Sequence, residues 1–307
     1  MDFTFKTIAE FNDYFKDEKT CYEFFEQQRW GGNPVCPHCG VDKKPYKVKA
    51  RGKFTDIPSY RCSDRDCDLP FTVRTGSIFE GSKVEFRKWL QAAYELSTAK
   101  NGISSVELAT RIGVSQKTAW FINHRLRSML TETAPELLGG MVEADETYVG
   151  GKIKNKHVSK RKEIANSTSP SIKTAVLGAL ERQGKLFTQV VPDVKRTTVL
   201  PILTSIVEPG TTIYTDSSHM YTPLKKGGYT HESVNHEKSE YVRGIVHTNS
   251  IEGFWSLLKR GIIGTFHQVS PQHLQRYCDE FSYRYNRRGE PISTALLKAL
   301  RMLTRRA

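Results

Sequence analysis

A chain of 307 residues is longer than one ordinary domain and can bury at least one substantial core. Hydrophobic residues make up 38% of it and charged residues 26%, ordinary globular usage that excludes wholesale disorder. Lysine and arginine number 46 against 33 acids, a formal charge of +13 that attracts polyanions, nucleic acid first among them, and says nothing about fold.

The amino terminus, Met-Asp-Phe-Thr-Phe-Lys, lacks a basic-then-apolar leader pattern, and no run approaches the ~18 apolar residues of a membrane span. A cytoplasmic location (bacterial cytosol or nucleoid), with no membrane partner, is therefore expected. In a reducing compartment the six cysteines read as metal ligands or core residues rather than as disulfides.

Residues 1–30 read as a helical segment, with Ile8, Phe11, Phe15, Tyr22 and Phe25 set among charges. Residues 31–80 are rich in Gly, Pro and Cys, with short aromatic strands. Within them Cys36-Pro-His-Cys39 forms one C-x2-C knuckle, and Cys62 and Cys67 form a second pair with four residues between. Cysteine pairs at turns let four thiolates converge tetrahedrally, so this segment is expected to be a zinc ribbon holding one structural Zn²⁺. A segment this small has little core of its own, and the metal would supply folding free energy. Gly40 suits the tight turn, Tyr60 and Phe71 are expected to pack beside the second pair, and His38 is expected on the surface. Cys21 and Cys278 have no partners in sequence and read as core. The basic neighbours Lys43, Lys44, Lys47, Lys49, Arg51 and Lys53 favour nucleic acid.

Residues 81–133 are helical again, and the stretch 103–127 has the form of a helix-turn-helix. Ser104 or Ser105 caps a first helix, Gly113 makes the turn, and Ser115 caps a second. Val106, Ala109, Ile112, Val114, Ala119 and Ile122 are expected between the helices. Gln116, Lys117, Trp120, Asn123 and Arg127 are then expected to face DNA.

From 134 to 288 short strand-like runs precede helical periodicity, as in an α/β domain, and 289–307 reads as a helical tail. Lys152, Lys154, Lys156, Lys160, Arg161 and Lys162 form a basic patch, read either as a solvated loop or as one ordered by DNA phosphates.

Three acids in this region have a local context. Asp145 lies mid-strand in Val142-Glu-Ala-Asp145-Glu-Thr-Tyr, where aspartate is disfavoured by propensity. Asp216 ends the strand-like run Thr211-Thr-Ile-Tyr-Thr-Asp216, the end at which open α/β sheets present ligand groups. Glu252 belongs to a helix whose buried stripe is Ile251, Trp255, Leu258 and Ile262, and Lys259 lies two turns further along the flanking face. Phosphodiester chemistry needs an in-line attack on an already anionic phosphorus. Two hard cations held by a few carboxylates meet that need.

Together these residues resemble the insertion-sequence transposases of the ISXO-like group, related to Merlin elements. The matching motifs are E-A-D-E-T-Y-V-G-G at 143–151, V-V-P-D-V at 190–194, Y-T-D-S at 214–217, V-N-H at 234–236, H-T-N-S-I-E-G-F-W-S-L-L-K-R-G at 247–261 and Y-R-Y-N-R-R at 283–288. The resemblance implies a ribonuclease-H-like mixed sheet with flanking helices and a DDE mechanism using two Mg²⁺ or Mn²⁺ ions. Asp145 matches the first catalytic aspartate, Asp216 the second and Glu252 the glutamate. The 35 residues between Asp216 and Glu252 are similar to the spacing in retroviral integrases. Some members of the group are described with Asn as the third residue and a following Lys, so Asn249 with Lys259 stands as a second candidate. Glu143 and Glu146 are near rivals of Asp145. His236 and His247 are read as structural or acid–base groups. Lys259 and Arg260 are expected on the DNA backbone, and Arg284, Arg287 and Arg288 either there or in solvent. The implied partners are double-stranded DNA, both terminal inverted repeats and target, and further copies of the chain in a homodimer or higher oligomer. The rival expectations are a catalytically inactive DNA-binding regulator and a nuclease without strand transfer.

Overall fold

The computed structural model describes residues 7–41, 43–49, 58–131, 136–151, 153–155, 157–165, 173–216, 219–235, 240 and 242–290. It divides into two units, Met1–Leu130 with Gly289–Ala307, and Thr131–Arg288. Among the described residues, no helix is long and apolar enough to cross a membrane. Lys152, Lys156, Arg51, Lys53, His236 and the tail from 291 onward lie outside them.

The first unit is built on aromatic packing. Helices α1 (Ile8–Tyr14) and α2 (Glu18–Trp30) start where Thr7 and Asp17 accept from the backbone N–H groups of Glu10 and Thr20, and α2 stops at Gly31 in the left-handed region (φ 59°). Phe11, Phe15, Tyr22 and Phe25 are buried, as the spacing predicts, while Ile8 is exposed. Phe25 meets Phe79 and Phe86 with ring centroids 4.7 and 4.8 Å apart. Such rings bury large areas and carry most of the energy of a small core. Helix α3 (Phe86–Thr98) has no side-chain cap of its own. Instead Glu18 accepts from the N–H groups of Phe86 (2.7 Å) and Arg87 (3.1 Å), a carboxylate against the positive end of a helix.

Between α2 and α3 lies a three-stranded antiparallel sheet of β1 (Tyr46–Val48), β2 (Ser59–Arg61) and β3 (Pro70–Phe71). Tyr60 stacks on its cross-strand partner Phe71 at 5.6 Å, and Trp30 meets both edge-on. After α3 come α4 (Ser105–Ile112) and α5 (Gln116–Ser128), capped by Ser104 and Ser115 and joined through Gly113 at φ 62°.

The second unit holds a five-stranded mixed sheet. Its strands β4 (Met141–Val149), β5 (Thr174–Glu181), β6 (Leu186–Val191), β7 (Thr212–Asp216) and β8 (Thr230–Val234) lie in the order β6-β5-β4-β7-β8. β5 runs antiparallel to both β4 and β6, while β7 pairs parallel with β4 and β8 parallel with β7. That arrangement, with flanking helices, is the mixed α/β sheet expected of a ribonuclease-H-like domain.

Alternation along the strands divides the core into two layers. Val142, Ala144, Leu177 and Ala179 pack on one face with α7 (Arg196–Ile206) through Val199 and Leu203. Val149, Val176 and Leu180 pack on the other with α8 (Asn249–Gly261) and α9 (Leu274–Asn286). Ile251, Trp255, Leu258 and Ile262 form the buried stripe that their spacing predicts. Leu274, Tyr277 and Phe281 do the same on α9, with Tyr285 packed against that core. Cys21 and Cys278 are fully buried core residues.

One expected loop is a helix. α6 (Val158–Ala165) carries Lys160, Arg161 and Lys162. Its Lys, Arg, Glu and Ala are good helix formers, and charge density alone had argued for a loop.

Candidate active site and zinc ribbon

The three contextual acids come to one end of the sheet. Asp145 lies on the α8 side of the central strand, paired with Gly178 of β5. Asp216 closes the neighbouring parallel strand, and Glu252 stands exposed in the first turn of α8. Burial pushes the Asp145 carboxyl up to about 6. Hydrogen bonds from the Glu146 backbone and Trp255 pull against that, and the negative charges of Asp216 and Glu252 push it further. All three groups therefore share one electrostatic neighbourhood. Among the described residues the four cysteines are the group whose ligand atoms all lie within 4.8 Å of one another, and the three carboxylates do not form such a group.

The support for Asp145 is built from residues that read as plain core. The Trp255 indole N–H donates to Asp145 Oδ2 at 3.0 Å. It reaches that oxygen because Gly178 has no side chain, since a Cβ there would stand 2.6 Å from the Trp255 ring. Thr248, the residue before α8, donates to Glu252 Oε1 at 3.0 Å. Asn249 is exposed at the first position of α8, three residues from Glu252 and so on the same side of the helix. Lys259 and Arg260 are exposed in its last turn.

The rivals of Asp145 are otherwise engaged. Glu143 is completely buried and accepts from Ser250 N (2.9 Å), Ser250 Oγ (3.0 Å) and Ile251 N (3.0 Å), so it caps α8 from the central strand. Arg182 pairs with it at 2.8 Å, and His247 Nδ1 lies 3.3 Å away. Arg182 also donates to the carbonyls of Ile245 (2.7 Å) and His247 (2.9 Å), holding the approach to α8. Glu146 points to the opposite face, where the buried Tyr221 hydroxyl donates to it. Burial there pushes its carboxyl up to about 7, with the charges of Asp145 and Asp216 adding to the rise. Nothing in the local sequence distinguishes the roles of Glu143, Arg182 and Gly178. The one available signal was a glycine inside an otherwise apolar strand, which marks a close approach.

In the first unit Cys36, Cys39, Cys62 and Cys67 converge with all sulfurs within 4.8 Å of one another. Cys39 and Cys62 are 3.5 Å apart, and Cys36 and Cys67 3.8 Å. Two ligands of one tetrahedral ion with Zn–S near 2.3 Å stand about 3.8 Å apart, so the donor set and spacing fit zinc. Gly40 sits at φ 70° behind the first knuckle, and His38 is exposed outside the cluster, near the Pro70 carbonyl.

The helix-turn-helix has a different outer face from the one expected. Gln116, Lys117 and Trp120 are exposed. Asn123 and Arg127, expected outside with them, are each only 1% exposed. The reason is the width of the buried face. Ala119, Ile122, Asn123, Leu126, Arg127 and Leu130 are all covered, so the later turns of α5 present two adjoining stripes to the core. There the Asn123 Nδ2 donates to the Ile103 carbonyl at 3.3 Å. Val106, expected between the helices, is exposed, and Leu108 fills that place.

Residues 137–286 match the ISXO2-like transposase domain, and residues 16–68 match the transposase zinc-ribbon domain. A protein of the transposable element ISH50 of Halobacterium salinarum is 30% identical over 296 residues, covering 92% of this chain and 95% of that one. A transposase-like protein of Haemophilus influenzae is 30% identical over 116 residues, covering 38% of this chain and 93% of its own length. The Mos1 strand transfer complex aligns at 14% identity over 69% of this chain and 73% of that one, with a TM-score of 0.31, too distant to carry a conclusion. The chain belongs to the ISXO2-like transposases, insertion-sequence proteins with a zinc ribbon and a DDE transposase domain.

Proposed function

We propose that the chain is an active DNA transposase, which binds the terminal inverted repeats of its element, cleaves their ends and joins them to target DNA. The observation that carries this reading is the shared electrostatic neighbourhood of Asp145, Asp216 and Glu252 at one end of the sheet. Their oxygen-only donor set suits Mg²⁺ or Mn²⁺ and leaves positions for phosphate. Two such ions, when bound, activate the attacking oxygen and stabilise the leaving one. Asp145, Asp216 and Glu252 hold them, Trp255 and Thr248 orient two of those carboxylates, and Lys259 and Arg260 take the DNA backbone. Asn249, on the same side of α8, is the second candidate for the third ligand. Water serves as nucleophile in end cleavage, and the freed 3′-hydroxyl serves in strand transfer. The zinc ribbon and the exposed Gln116, Lys117 and Trp120 bind the ends, and the chain works as a homodimer or higher oligomer on DNA.

Asp145→Asn tests the reading. Metal-dependent cleavage of element ends is expected to fall to background while end binding persists. Cleavage that survives unchanged would remove Asp145 from the mechanism. Pre-cleaved ends incubated with target DNA separate a transposase, which yields joined product, from a nuclease, which does not.

A further inference from the structure

The first unit also contains a groove of about 930 Å³ lined by residues of α2 and of the ribbon. That volume is within the range of sites that take small organic ligands. Its walls are aromatic: Trp30, Tyr46 and Tyr60 line it, and Tyr46 is 63% exposed on the three-residue strand β1. Lys43, Lys44 and Lys47 stand on it, all exposed. Glu26 of α2 also lines the groove. Tyr22 and Tyr60 hydrogen-bond its carboxyl, and among the described residues its buried Oε1 makes no further hydrogen bond.

These groups specify a ligand with two different ends. The lysines attract an anion, whereas Glu26 repels one and offers an acceptor to a neutral donor. An acidic peptide would bring a second carboxylate against Glu26. A nucleotide instead carries its charge on the phosphate and its amino or imino donors on a flat ring that stacks on aromatic side chains. We propose that this groove receives an unpaired nucleotide of a DNA strand, its base among Trp30, Tyr46 and Tyr60, its amino edge on Glu26, and its phosphates on Lys43, Lys44 and Lys47. The inference rests on the reading of the chain as a transposase that handles DNA ends. It adds that the ribbon engages a frayed or overhanging strand and not duplex alone. Bases with an exocyclic amino group, adenine, cytosine and guanine, are preferred over thymine.

The test uses the full zinc-loaded chain and three forms of one duplex: blunt, with a short single-stranded tail containing 2-aminopurine, and with an abasic tail of the same length. The base-bearing tail is expected to raise affinity roughly tenfold over blunt duplex, and 2-aminopurine fluorescence to be quenched on binding. The abasic tail, which keeps the phosphates, is expected to give little of that gain. Glu26→Leu and Tyr46→Ala, each checked for unchanged zinc content, are expected to lose the tail preference and to bind blunt duplex like the parent. Equal affinity for base-bearing and abasic tails would overturn the proposal, as would a preference that survives both variants. Failure to bind blunt element ends while the tail preference persists would sink the end-binding reading and leave the groove standing.

Discussion

The two candidate metal centres are opposite solutions to one problem. In the ribbon, four sulfurs lie within 4.8 Å of one another around a hydrophobic cluster of only a few side chains. In the sheet domain the carboxylates stand further apart, on elements held by two apolar layers and by the Glu143–Arg182 network. The first has little apolar burial of its own and is expected to depend on its ion for folding, while the second is backed by two apolar layers. A structural site can let metal supply the stability of a small module. A catalytic site has to keep its carboxylates apart, leaving room for phosphate, and needs its stability from elsewhere.

The largest expected effect follows directly. Stripping zinc with a strong chelator removes a contribution of about 10 kcal/mol. Hydrogen exchange is expected to show residues 36–71 unprotected and the strands of the sheet domain unaffected. Protection lost equally in both units would break the contrast.

Next is Glu143→Ala, which leaves Arg182 as a poorly compensated charge and uncaps α8, at about 3–5 kcal/mol in denaturant unfolding. Glu143→Gln, which keeps the shape, is expected to lose less. Gly178→Ala drives a methyl into Trp255, costing about 1–3 kcal/mol. It is also expected to reduce end cleavage by freeing Asp145 from its indole donor, and full activity at normal stability would remove Trp255 from the positioning of Asp145.

The last effect has the opposite sign. Asp145 has a folded pKa of about 6, above its ordinary 3.8, so the native state keeps a proton that the unfolded chain releases. Stability is therefore lost as pH rises between about 4 and 6, and the penalty is complete above that window. In magnesium-free buffer Asp145→Asn is expected to stabilise the protein at pH 8 by on the order of 2 kcal/mol and to be nearly neutral at pH 4. Thermal unfolding at the two pH values distinguishes this from an ordinary loss of a hydrogen bond.

Much of this was legible beforehand where chemistry is local. The knuckle spacing of Cys36–Cys39 and Cys62–Cys67 fits closure around one ion, because a turn brings near neighbours together. The stripe Ile251, Trp255, Leu258 and Ile262 faces inward, because helical periodicity leaves no other common side. The helix-turn-helix is legible in its caps, its turn and the exposure of Gln116, Lys117 and Trp120, but not in the rest of its surface. Asn123 and Arg127 look like DNA contacts, but how much of α5 is covered depends on what packs beside it.

The amino-acid sequence by itself determined the donor types, their order along the chain and the periods of the strands and helices that carry them, since these follow from side-chain chemistry and backbone geometry. Only the tertiary structure decided which partners Glu143, Asp145 and Glu146 meet. Alternation puts Glu143 and Asp145 on one face and Glu146 on the other, but no local rule says which face receives α8. Long-range packing supplied that answer, spending Glu143 on the helix end and leaving Asp145 beside Asp216 and Glu252.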